Sequence, residues 1–151
     1  MTYKNILVAV DTTDDAEQVI KAAQEFAEGR DSTISVVTVV TPLADYYEHS
    51  YSLVGDSTSK QLEAQAAEHT TAWLSDLTKR YGIDTSAVNV VVGKPAAEIR
   101  RLAEELSADL IVIGTHGRHG LGLMLGSTAN AVLHGTPCNV LAVKVRVEAS
   151  T

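Results

Sequence analysis

The feature that most limits the fold of this chain is a set of five short runs rich in β-branched residues. They are KNILVAV at 4–10, TISVVTVV at 33–40, VNVVV at 88–92, DLIVI at 109–113 and NVLAVKV at 139–145. The first, second and fourth are apolar almost without interruption. A strand with one wet face alternates polar and apolar residues, so continuous apolar runs point to strands covered on both faces, as in a parallel sheet. Helical patterns separate the runs, and strand alternating with helix is the rhythm of an α/β domain.

A first helix over 14–28 puts Ala16, Val19, Ile20, Ala23 and Ala27 on one stripe and stops before Gly29, a natural residue for a helix end. A second over 57–81, capped from Ser57 or Ser59, carries Leu62, Ala66, Trp73, Leu74 and Leu77 and ends at Gly82. The third starts with Pro95 in its first turn, where the missing N–H is harmless, and repeats Ile99, Leu102, Ala103 and Leu106 at helical spacing. A short fourth helix, 127–134, closes before Gly135 and Pro137. The connection from Thr41 to Asp56, with Tyr46, Tyr47, His49 and Tyr51, shows little periodicity and reads as either a lid or a surface loop. The pattern fills one domain over 1–147, with a frayed tail at 148–151.

A chain of 151 residues can bury a core without disulfides or structural metals. Its formal charge of −7 argues against nucleic-acid and anionic-membrane partners, which select basic faces. Any phosphate must then be held locally. The lone Cys138 cannot form an internal disulfide and, beside an apolar run, reads as a small buried hydrophobe. With no apolar leader-like segment and no run of about 18 apolar residues, the expectation is a soluble cytoplasmic protein without membrane insertion.

One segment carries a chemical signal: ADLIVIGTHGRHGLGLMLGSTANAVL, residues 108–133. An apolar strand runs into a glycine-dense loop that ends in a helix opening at Gly126, Ser127 and Thr128. Glycines there leave the backbone free to adopt positive φ and to lie against a ligand, and free N–H groups at the helix start would face an anion. His116 and Arg118 could donate to phosphate; His119 is more simply a solvated loop residue. The alternative is a flexible connection that binds nothing. The first run is followed by Asp11, which would face this loop across a crevice if the first and fourth strands are neighbours. Its carboxylate could accept from ribose hydroxyls or hold magnesium through water; equally, it could cap the first helix or close a turn.

Other chemistries fit poorly. Gly126 is followed by Ser127 with no lysine, so the phosphate loop of the Gly-Lys-Ser/Thr type is absent, and the turn after the first strand, DTTDD, lacks the glycines of a dinucleotide fingerprint. The histidines lack helical metal-ligand spacing, so no metal site is expected by direct motif. Ser127 sits in no nucleophile elbow, and no catalytic residue is assigned.

The opening YKNILVAVD, the closing GTHGRHGLGLMLGSTANAVLHGTPCNVLAVKV and the length between them resemble the universal stress protein family over essentially the whole chain. The resemblance implies a single-domain, open five-stranded parallel sheet in order 3-2-1-4-5 with helices on both faces, a Rossmann-like fold similar to the adenine nucleotide alpha hydrolases. In nucleotide-binding members the loop reads Gly, two residues, Gly, nine residues, Gly, then Ser or Thr. Here Gly114, Gly117 and Gly126-Ser127 match, with eight residues, 118–125, in the longer gap. Carried over by position, Ala9 and Val39 would border an adenine with Ile113 nearby. Asp11 and Gly114 would contact the ribose; Gly117, Gly126, Ser127 and Thr128 would hold phosphates.

The function implied is a cytoplasmic stress-response protein that binds ATP or AMP, with magnesium as a possible companion, and is read by a protein partner of unknown identity. The family also implies a homodimer through the last strand, 139–145. Two alternatives stay open: a slow adenine-nucleotide phosphohydrolase, and a dimeric interaction protein that binds no nucleotide.

Overall fold

The computed structural model describes residues 2–42, 56–115 and 126–146. The strands are β1 (Asn5–Ala9), β2 (Thr33–Val40), β3 (Val88–Val92), β4 (Leu110–Gly114) and β5 (Asn139–Val143). The helices are α1 (Asp15–Ala27), α2 (Asp56–Arg80), α3 (Pro95–Glu105) and α4 (Ser127–Leu133). All strand pairs are parallel, in the order β3-β2-β1-β4-β5. Val8 at the centre lies beside Val36 of β2 and Val112 of β4.

Alternate residues of each central strand feed two separate cores, which is why the runs are continuously apolar. Ile6, Val8, Val36, Leu110 and Val112 pack with Ala16, Val19, Ile20 and Ala23 of α1 and with Leu74 and Leu77 of α2. Leu7, Ala9, Val37, Ile111 and Ile113 point the other way, onto Ile99, Leu102 and Ala103 of α3 and Ala129 and Val132 of α4. Two helices therefore cover each face. Among the described residues, no helix is long and apolar enough to cross a membrane.

The helix ends follow from local chemistry. Gly29 and Gly82 adopt φ of 76° and 71° after α1 and α2, and Ile83 N–H reaches back to the Thr78 carbonyl at 3.0 Å. After α3 the same left-handed position is filled by Ser107, φ 52°, with Ala108 N–H bonded to the Ala103 carbonyl at 2.8 Å. Leu106, expected on the inward stripe, lies past the last residue of α3 and is exposed.

A larger correction concerns α2. Leu74 and Leu77 are buried and Trp73 packs against the core, but Leu62 and Ala66 are exposed, and the buried positions nearer the start are Ser59 and Thr70. A helix of 25 residues is about 37 Å long, whereas a strand of five to eight residues spans about 17–26 Å. The helix outruns the strands it packs on, so its inward stripe need not be apolar along its whole length.

The amino end of the sheet is tied by Asp109. Its carboxylate accepts from the backbone N–H of Lys4 at 2.8 Å and of Asn5 at 3.1 Å, while its own N–H donates to the Asn5 carbonyl at 2.9 Å.

Candidate functional site

Strand order reverses between β1 and β4: from β1 the chain builds outward through β2 and β3, then returns to build β4 and β5 on the other side. Ligands of open parallel sheets bind at such a reversal, beyond the carboxyl ends of the strands. The condition set by the sequence, that the first and fourth strands be neighbours, is met by the pairing of Ala9 with Ile113.

Asp11 lies just beyond β1. Its Oδ1 accepts from the Thr13 N–H at 3.2 Å and forms a short hydrogen bond with the Thr13 hydroxyl, which in turn accepts from Asp15 N–H at 3.3 Å. Asp14, not Asp11, is the residue that caps α1, and it does so without a side-chain bond. Asp11 is thus a turn-forming aspartate. The turn occupies one carboxylate oxygen; no described residue donates to Oδ2.

Across from it, β4 runs one residue further than expected and includes Gly114. Thr115 then joins three elements: its N–H donates to the Val143 carbonyl at 2.9 Å, its hydroxyl accepts from Val145 N–H at 3.4 Å, and its carbonyl accepts from Gly126 N–H at 2.6 Å. The end of β4, the end of β5 and the start of α4 therefore meet at one residue. Gly126 has φ −56°, and Gly114 is not among the positive-φ glycines. The expected use of glycine for left-handed backbone does not apply to these two.

Ala9, Val39 and Ile113 share the face covered by α3 and α4, where Val91 and Ala96 join them. Ala9 and Ile113 are 5% and 6% exposed, so Val39, half-buried, has the most surface left to offer a ligand. Ser127 is exposed and Thr128 half-buried. His116, Gly117 and Arg118 lie outside the described residues.

Sequence reasoning missed Thr115, Val91 and Ala96. The first sits inside the Gly114–Gly117 motif and could have been singled out there; the other two gain relevance only once they are seen to share a core cluster with Val39. Cys138 packs against the α3/α4 core but is half-buried, and burial pushes its thiol pKa up. Among the described residues, no group of three or more His, Cys, Asp or Glu is placed to hold a metal.

This geometry defines a Rossmann-like α/β domain whose candidate site lies at the β1/β4 reversal. The model of the universal stress protein family matches residues 2–144, and the chain belongs to that family. It is 35% identical to universal stress protein A homolog 1 of Coxiella burnetii, over 95% of this chain and 97% of that protein. Among solved structures, the hypothetical protein MJ0577 superposes with a TM-score of 0.80 at 23% identity, covering 98% of this chain and 100% of that one. The universal stress protein from Archaeoglobus fulgidus in complex with dAMP superposes with a TM-score of 0.62 at 25% identity, covering 95% and 100%.

Proposed function

We propose that this universal stress protein binds an adenine nucleotide, ATP or AMP, at the β1/β4 crevice and acts in the cytoplasm through its bound state, read by a protein partner. The observation that carries the reading is the Thr115–Gly126 hydrogen bond, which holds the start of α4 against the end of β4, one strand away from Asp11. The complex of the Archaeoglobus fulgidus protein with dAMP supports the ligand class. In this assignment the base rests near Val39, with Ala9 and Ile113 beneath. Asp11 Oδ2 and the backbone at Gly114 receive the ribose, since a carboxylate oxygen left over from a turn is a ready acceptor for hydroxyls. Gly117, Gly126, Ser127 and Thr128 take the phosphates, with His116 and Arg118 as further donors. Among the described residues a magnesium ion would be held by the Asp11 carboxylate, through water, with the nucleotide's own phosphates supplying further ligands.

β5 is an edge strand with Ala142 exposed and Val140, Leu141 and Val143 half-buried. An unpaired apolar edge favours association with another chain. The proposed assembly is a homodimer through 139–145.

Calorimetry with ATP and AMP, with and without magnesium, tests the binding, alongside mass spectrometry of nucleotide retained through purification. Binding is expected, weakened for both ligands by Asp11→Ala. No heat at millimolar ligand and no retained nucleotide would refute the reading.

A further inference from the structure

Arg100 and Arg101 are consecutive on α3 but serve different ends. Arg101 pairs along its own helix, with Glu98 at 2.8 Å and Glu105 at 2.7 Å. Arg100 makes no ion pair among the described residues, although the chain holds 19 acidic against 12 basic residues. Its Nη1 instead donates to two backbone carbonyls of the neighbouring helix region, Ala131 at 2.6 Å and His134 at 2.8 Å. These belong to the last turn and the cap of α4, where carbonyls have no partner within the helix. The chain then reverses at Gly135, φ 88°, where a Cβ would lie 4.0 Å from Arg100 Cδ.

α4 has seven residues, far too few to persist as a helix on its own. Only Ala129 and Val132 anchor it in the core. Two small apolar contacts set its depth and the Thr115–Gly126 hydrogen bond ties its start, which leaves its last turn to be held; the guanidinium supplies a directional tie there, at the end opposite Gly126. α3 can serve as the fixed point because Ile99, Leu102 and Ala103 are buried.

We infer that Arg100 is a positioning residue for the phosphate side of the crevice: by holding the C-terminal end of α4 it fixes where Gly126, Ser127 and Thr128 stand, about 10 Å away along the helix. The inference rests on the nucleotide reading above. Base and ribose contacts come from β1, β2 and β4, which Arg100 does not touch, so its effect is confined to phosphate-bearing ligands.

The test is titration of the full chain with ATP and with adenosine, in the unmodified protein, in Arg100→Met, which keeps the stem without donors, and in Arg100→Lys, which keeps a charged donor. Arg100→Met is expected to weaken ATP about tenfold, the equivalent of one charge-assisted hydrogen bond, and to leave adenosine unchanged. Arg100→Lys should recover part of the ATP affinity, and amide exchange over 129–133 should quicken in Arg100→Met. Should Arg100→Met fail to fold, Arg100→Lys alone must show the intermediate, ATP-selective loss. Unchanged ATP affinity in the folded variant, or equal losses for ATP and adenosine, overturns the assignment. An unmodified protein that binds neither ligand overturns the nucleotide reading and this assignment with it.

Discussion

Replacing Asp109 with alanine should cost this domain a measurable share of its stability while sparing the proposed ligand site. The carboxylate holds two backbone N–H groups at the amino end of β1, Lys4 at 2.8 Å and Asn5 at 3.1 Å. Hydrogen bonds to a charged group are each worth about 1.5–3 kcal/mol. Lys4 is exposed, so water replaces most of what its N–H loses; Asn5 is half-buried, and its N–H is left poorly solvated. The sum is therefore nearer one full bond than two, about 2–3 kcal/mol. At about 2–4 °C per kcal/mol for a domain of this size, the melting temperature should fall by about 4–12 °C. Urea unfolding should show a lower midpoint with an unchanged slope, since the folded surface is the same. Asp109→Asn retains one acceptor but turns an amide N–H₂ toward the second donor, so it should lose at least half as much. A melting temperature within about 1 °C of the unmodified protein would refute the reasoning. So would a loss of nucleotide affinity in the folded variant, because the clamp sits at the end of the sheet away from the crevice.

Two further changes should stabilise. Thr38 is 2% exposed and its hydroxyl has no hydrogen-bond partner among the described residues, so Thr38→Val exchanges an unsatisfied polar group for a methyl of similar size. A gain of about 1 kcal/mol in urea unfolding is expected, and a loss would show that the hydroxyl is bonded in solution. Ser107 ends α3 at φ 52°, where a side chain costs about 1–2 kcal/mol that glycine avoids, against about 0.5–1 kcal/mol for glycine's freer unfolded chain. Ser107→Gly should gain about 0.5–1 kcal/mol by thermal melting. Asn5 Nδ2 bonds to the backbone carbonyl of Ser107, a contact that survives the substitution, so a fall in stability would contradict the conformational argument.

What the sequence made legible is what local pattern encodes. Strands buried on both faces read as uninterrupted apolar runs, and all five were found within one or two residues of their ends. Gly29 and Gly82 marked helix ends because left-handed backbone favours them, whereas Ser107 occupies the same conformation with no glycine to announce it. The stripe on α2 failed because periodicity reports an apolar face and not how much sheet lies beneath it. The candidate site was legible as two strand ends that the fold does bring side by side, but the ties around it were not. Asp109 and Lys4 are 105 residues apart, and Arg100 and Ala131 are 31 apart. Nothing in either neighbourhood signals the other. Asp11 shows a different limit: its turn with Thr13 and its spare oxygen are compatible, so the two readings that the sequence left open were not exclusive.

The hydrogen bond between Thr115 and Gly126 also bears on how this family can vary. Once the two ends of the ten-residue connection are tied to each other, its length becomes a question of closure entropy alone. Adding or removing one residue in a loop of that size changes the closure term by less than about 0.1 kcal/mol. The spacing of eight between Gly117 and Gly126 is therefore cheap for the fold to lengthen or shorten by one. A one-residue change in this connection should leave the stability of the domain nearly unmoved, so its length can be varied as a probe of ligand affinity alone.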